Sequence, residues 1–261
     1  MPAPVLCGSS SVPVPVRTQF GTQWKLAEAQ ASLGQTMLYY DFDLATAEKQ
    51  YRRAIELNPN YATAHQWLAE NLTSVKRSDE AMVEIKRALD LDPFSVIMNR
   101  IYADILADSR RFDEAIEQYK RTLEIDPNFP TTHYFLGRVY EAKGMYDEAV
   151  AEYGAAGRLT GLPAESIEHI NQVYAKSGWK AYLQESLDQL VSAPGNRRFA
   201  PFLLATFYAR LGKKEEAIAW LERGYEERDF RVTLVSVSWE FDSIRSDPRF
   251  VDLVRKLGLP E

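Results

Sequence analysis

Three histidines (His65, His133 and His169), one cysteine (Cys7) and the close pair Asp41 and Asp43 are the residues of this chain with the types to do chemistry. Zinc needs such ligands grouped at short spacing, and no HxxxH, HExxH or CxxC arrangement occurs. His65 and His133 stand 68 residues apart, at equivalent places of a repeating pattern, and so fall on different hairpins. A Cys7–His dyad would need a thiolate inside a Pro-rich stretch, and the aspartate pair has no third ligand nearby. Asp43 reads instead as a helix cap, its carboxylate accepting from a free helix N–H. No GxxxxGK[ST], GxGxxG or GxSxG loop is present to cradle phosphate or present a nucleophile. The chain reads as a non-enzyme with no catalytic residue, no metal and no cofactor.

Composition narrows the classes further. Net charge is −6 and the bases are interleaved with acids, which argues against direct nucleic-acid binding. No apolar run approaches the eighteen or so residues of a membrane span, so no membrane partner is expected. One cysteine allows no internal disulfide, and a cytoplasmic setting is expected. Residues 1–21 are rich in Pro, Ser and Val and read as a disordered tail or the remnant of a linker. Val5-Leu6-Cys7 as a lipid-attachment site is the lesser alternative.

The positioning elements are legible in the stretch from Asp126 to Ala156. Asp126-Pro127 stops one helix and Pro130 can open the next. Leu136, Val139 and Tyr140 make an apolar face, with Gly137 beside them for close helix approach. Lys143-Gly144 turns the chain. Asp147-Glu148 begins a second helix whose inner face is Ala149, Tyr153 and Ala156. These landmarks recur every 34 residues, at Pro59, Pro93 and Pro127 and at Leu38, Leu72, Leu106, Tyr140, Tyr174 and Tyr208. Ala47, Ala81, Ala115 and Ala149 keep the step, Leu183 breaks it and Ala217 restores it.

With that period and helix–turn–helix content, residues 22–228 resemble the tetratricopeptide repeat family. The fold class expected is an all-α, right-handed α-solenoid of about six TPR hairpins, the fifth degenerate. Ala193-Pro194-Gly195-Asn196 reads as a loop before the sixth. Residues 229–261 form a C-terminal capping segment. In it Arg231–Ser238 is a short helix or an extended piece, and Asp247-Pro248 starts a helix with the stripe Phe250, Leu253, Val254 and Leu257. That helix is expected to lie on the sixth hairpin as a lid.

The resemblance implies that the first helices line a concave groove that binds protein or peptide. The corresponding side chains include Tyr39, Gln66, Glu70, Arg100, Asp104, Tyr134, Arg138 and Phe202, with Arg100, Tyr134 and Arg138 as the anchor cluster. Ser32, Thr36, Thr73, Glu141, Glu168, Gln172 and Thr206 fall on the same side. Some family members clamp chaperone C-terminal tails with Lys and Asn. Here Ser32, Thr36 and Trp67 stand at those places, so chaperone tails are not expected as partners. The run Tyr39–Tyr61, the SDPRF segment and the LGLP ending are similar to C-terminal repeat regions of bacterial multidomain regulators, linked to a winged-helix or serine/threonine kinase domain. That similarity implies a regulatory or sensory module. A peptide-signal or small-molecule sensor is a further alternative, and it requires a closed apolar pocket rather than an open groove.

Overall fold

The computed structural model describes residues 16–192 and 201–260, with side chains from Lys25 onward. The tail through Pro15, Cys7 and the loop at residues 193–196 lie outside the described residues. Helix α1 (Val16–Thr36) begins six residues ahead of the expected Thr22 and ends in a π-helical turn, Met37–Asp41. Next come α2 (Leu44–Leu57), α3 (Ala62–Ser74), α4 (Ser78–Leu91), α5 (Val96–Asp108) and α6 (Phe112–Ile125). They are followed by α7 (Pro130–Ala142), α8 (Tyr146–Leu159), α9 (Ala164–Ser192), α10 (Pro201–Arg210) and α11 (Lys214–Glu226). Two 3-10 helices, Phe230–Leu234 and Trp239–Ile244, precede α12 (Pro248–Lys256). No strand occurs among the described residues.

Consecutive helices pair as hairpins, and α1, α3, α5 and α7 lie side by side along one face. The start signals act as expected. Asp43 accepts from the Thr46 N–H at 2.9 Å, Asp247 accepts from the Arg249 N–H at 2.9 Å, and Pro130 opens α7. Ala47, Ala81, Ala115, Ala149 and Ala217 have no exposed surface, as contact points between helices require. A Cβ on Gly137 would lie 3.0 Å from the Tyr153 ring, which is why that helix crossing needs glycine.

His65 and His133 are structural braces. His65 places Nδ1 2.6 Å from Glu84 and Nε2 3.1 Å from the Pro59 carbonyl oxygen, and His133 places them 2.6 Å from Glu152 and 3.0 Å from the Pro127 carbonyl oxygen. The hairpin between them makes the same brace with neutral groups. Asn99 donates to the Pro93 carbonyl at 2.9 Å and accepts from Gln118 at 2.9 Å. The fifth hairpin departs from the pattern because α9 runs through its turn with a kink at Gly178. There Trp179 stacks on Tyr146 at 4.8 Å and on Tyr182 at 5.0 Å, and Leu183 is buried nearby where the other hairpins carry alanine.

All six turn positions, 42, 76, 110, 144, 178 and 212, have positive φ. Gly144, Gly178 and Gly212 take it without strain. Phe42, Lys76 and Arg110 take it with a side chain, at a cost of about 1–2 kcal/mol each. Two of these side chains reach the C-terminal part of the chain. Phe42 is buried against Tyr225 at 5.8 Å, with the Arg228 guanidinium over its ring at 5.1 Å. Arg110 donates to the Val237 carbonyl at 2.6 Å and to Asp242 at 2.9 Å.

Those contacts belong to a closure that the repeat pattern does not announce. The segment Arg231–Ser238 is mostly 3-10 and tight-turn structure, and it reaches the π-helical turn and α3 near the start of the array. Val232, Val235 and Phe241 have no exposed surface and share one core with Leu38, Leu72, Ile101 and Ala205. The expected lid is therefore only part of the arrangement. The stripe Phe250, Leu253, Val254 and Leu257 is buried and α12 meets α11, while the chain before α12 crosses the concave face.

Replacing Ala81 or Ala115 by Leu is expected to overpack a helix contact and cost about 1–3 kcal/mol, read as a lowered urea midpoint. Lys76→Gly is expected to stabilise by roughly 1 kcal/mol and raise that midpoint, because it relieves a left-handed Cβ at an exposed turn. Arg110→Gly should lower it, since the guanidinium that ties the turn to Val237 and Asp242 is lost.

Candidate ligand chamber on the concave face

The closure leaves a chamber of about 440 Å³ on the concave side. Helical spacing supplies its walls. Glu70, Thr73 and Ser74 come from α3, and Arg100, Asp104 and Asp108 lie one turn apart on α5. Tyr134, Phe135 and Arg138 come from α7, and Phe202, Leu203 and Thr206 from α10. Leu38 and Tyr39 enter from the first hairpin. The C-terminal segment completes the enclosure with Phe230, Arg231, Leu234 and Trp239. The Tyr39 and Phe230 rings meet at 4.3 Å, joining the first hairpin to that segment.

Tyr39, Glu70, Arg100, Asp104, Tyr134, Arg138 and Phe202 thus all reach one chamber. Gln66 is not on its wall; it donates to Glu70 at 2.9 Å from the turn behind. Glu168 and Gln172 bond each other at 2.9 Å on α9, away from the chamber. Sequence reasoning missed Asp108, Phe230 and Trp239. The last two come from the segment assigned to an end cap. Asp108 is the last residue of α5, one turn beyond Asp104 on the same face, and that spacing could have found it.

The polar wall is largely paired. Arg100 donates to Asp104, which also accepts from the Tyr119 hydroxyl at 2.6 Å. Arg138 donates to Glu240 at 2.7 Å, and both guanidinium groups lie over the Phe135 ring at 5.3 and 5.1 Å. Behind the wall, Arg210 donates to Glu141 at 2.8 Å through Nε, and the Tyr153 hydroxyl donates to Glu141 at 3.0 Å. Burial opposes the charge of Arg138, yet Glu240 beside it keeps its pKa above the usual arginine value. Burial also pushes the carboxyls of Glu70 and Asp104 upward, Arg100 resisting in both cases. Asp108 is pushed up to about 7 by burial, against the nearby Arg138. Its carboxylate makes no hydrogen bond among the described residues and borders the chamber.

This arrangement can hold a compact ligand, and among the described residues no group of three or more His, Cys, Asp and Glu side chains is placed to hold a metal ion. It also makes stability depend on pH. Asp108 has a higher pKa folded than its ordinary 3.8, so the folded state holds that proton more tightly. Its contribution is fully present below about pH 4 and is lost as pH rises to about 7. Asp108→Asn should match the parent near pH 4 and become more stable than it as pH rises, by on the order of a few kcal/mol at pH 8. Urea titrations of both proteins at four pH values check this, and a difference that does not change with pH would contradict it.

Family models for tetratricopeptide repeats match residues 38–96, 103–144, 132–157 and 202–228. No curated protein matches the sequence. Among solved structures, the chain is similar to pilF of Pseudomonas aeruginosa, at 19% identity and a TM-score of 0.55, covering 87% of this chain and 99% of that one. A crystal structure of MamA is 23% identical with a TM-score of 0.45, over 55% of this chain and 84% of that one. An O-GlcNAc transferase of Thermobaculum terrenum is 15% identical with a TM-score of 0.46, over 56% of this chain and 27% of that one. The stacked hairpins and the matched segments agree: the chain carries tetratricopeptide repeats and folds as a helical solenoid.

Proposed function

We propose that this tetratricopeptide scaffold works as a sensory binding module, which takes a compact ligand into the chamber rather than a long peptide along its concave face. Tetratricopeptide repeats serve protein interaction, and in this reading the ligand sets the state in which the scaffold meets its protein partner. The observation that carries the proposal is the burial of Val232, Val235 and Phe241 beside the chamber. A helix or extended peptide lying in an open groove would have to displace them. Each such side chain contributes roughly 1.5–3 kcal/mol to folding by its burial, so displacing the segment would cost several kcal/mol. What remains open is a space within the size range of small-molecule sites, mainly apolar with a few converging polar groups. A role as the regulatory region of a bacterial signalling protein is compatible with a ligand-set scaffold and rests on sequence similarity.

The test is thermal melting against a panel of free amino acids, dipeptides, and six-carbon amines, acids and alcohols. It compares the parent with Leu203→Trp, a substitution that fills the chamber from α10. At ten times its Kd, a ligand of the chamber should raise the parent's Tm by about 3–6 °C and leave the variant unmoved. A panel that moves neither protein, or moves both equally, would sink the proposal.

A further inference from the structure

Resting on the chamber as a ligand site, the geometry points to an organic cation as its occupant: a small molecule that joins an ammonium or guanidinium group to an apolar body. The charges on the wall are uneven once their partners are matched. Arg100 is held by Asp104, Arg138 by Glu240, and Arg231 by Asp229 at 2.7 Å. Arg110, just outside, is taken by Val237 and Asp242. Every arginine of the wall therefore has a carboxylate, and two carboxylates are left without a cation bonded to them. The Glu70 carboxylate receives only the Gln66 amide, and the Asp108 carboxylate receives no hydrogen bond among the described residues, Arg110 donating instead to the Asp108 backbone carbonyl at 3.2 Å. An anionic ligand would have to compete with Asp104, Glu240 and Asp229 for the guanidinium groups they already hold. A cationic one finds a carboxylate without a bonded cation in a part-enclosed site, where charge complementarity counts for more than in bulk water.

The remaining wall suits the same chemistry. Tyr39, Tyr134, Phe202, Phe230 and Trp239 line the chamber. Aromatic faces attract cations as well as apolar groups, by about 0.5–2 kcal/mol per contact. Phe135 is already used in this way by Arg100 and Arg138.

The groups that face Asp108 are Arg138 and Arg110 on the cationic side and Asp104 and Glu240 on the anionic side. Its carboxyl titrates at about 7, whereas an alkylammonium keeps its charge well above that pH. Cation binding should therefore strengthen between pH 6 and pH 8.

Calorimetry with hexylammonium, hexanoate and 1-hexanol separates the possibilities, because the three probes share one carbon chain and differ in charge. Hexylammonium should bind the parent at least tenfold tighter than either of the others, and tighter at pH 8 than at pH 6. Asp108→Asn should weaken it at least tenfold, and Leu203→Trp should abolish it. Hexanoate or hexanol binding as tightly as hexylammonium, with Leu203→Trp abolishing it, would overturn the assignment of a cation and leave the chamber standing as a site. Hexylammonium binding that survives Leu203→Trp, or that Asp108→Asn leaves unchanged, would overturn the assignment as well. No binding of hexylammonium to the parent would do the same.

Discussion

The burial of Val232, Val235 and Phe241 against both ends of the array is the interaction on which the rest of this structure depends. A stacked repeat protein is close to one-dimensional, since each hairpin touches its neighbours and the ends need only a cover. Here the last covering segment turns back and shares a core with the first three hairpins and the sixth. Arg110 bonds partners 127 and 132 residues away in the chain, where ordinary repeat contacts span about one period. Hairpins that could otherwise fray separately are tied into one cooperative unit. The concave face becomes an interior.

Making that face an interior raises the stakes for its polar groups. Arg210 and Glu141, with 3% and 5% of their side chains exposed, form an ion pair between α10 and α7. Glu240 is buried against Arg138 and fixes the C-terminal segment on the same helix. Ion pairs taken out of water recover their desolvation cost only with good geometry, so they are weak sources of net stability. We read their value here as alignment. A shift of α10 or of the segment along α7 would strand a buried charge, at several kcal/mol, whereas apolar packing alone tolerates sliding.

The sequence made the hairpins legible and left the closure hidden, for a physical reason. A 34-residue step reports what every repeat must do alike: bury an alanine, turn and stack on its neighbour. Pro130, Asp43, Asp247 and the alanines from Ala47 to Ala217 were readable because their roles are local. The inner faces of α3, α5, α7 and α10 were readable for the same reason, which is how Glu70, Arg100, Asp104, Tyr134, Arg138 and Phe202 were found together. Curvature is the sum of small rotations between repeats, which no single position encodes. The readable traces of closure are departures from the pattern. Phe42, Lys76 and Arg110 stand where later hairpins place glycine, and Glu240 stands between two aromatic residues, Trp239 and Phe241. Each departure alone looks like drift, and only the folded chain shows that Phe42 meets Tyr225 of α11, that Arg110 meets the C-terminal segment and that Glu240 of that segment meets Arg138.

A part-enclosed chamber also changes what binding can do. A peptide lying in an open groove contacts successive first helices and stiffens neighbours that already touch. A ligand in this chamber is bounded by α3, α5, α7, α10 and the C-terminal segment together, so it bridges parts of the array that are distant in sequence. Its binding energy then adds to the same closure that Tyr39–Phe230 and Arg138–Glu240 hold. By linkage, anything that loosens the closure weakens the ligand, and the ligand in turn opposes loosening by an equal free energy. A partner that grips the outside of the array more firmly in one curvature than another would sense that ligand without touching it, provided the two curvatures differ in how well they enclose it. The strained turns at Phe42 and Arg110 fit this logic, because they put local strain into contacts that exist only when the array is closed.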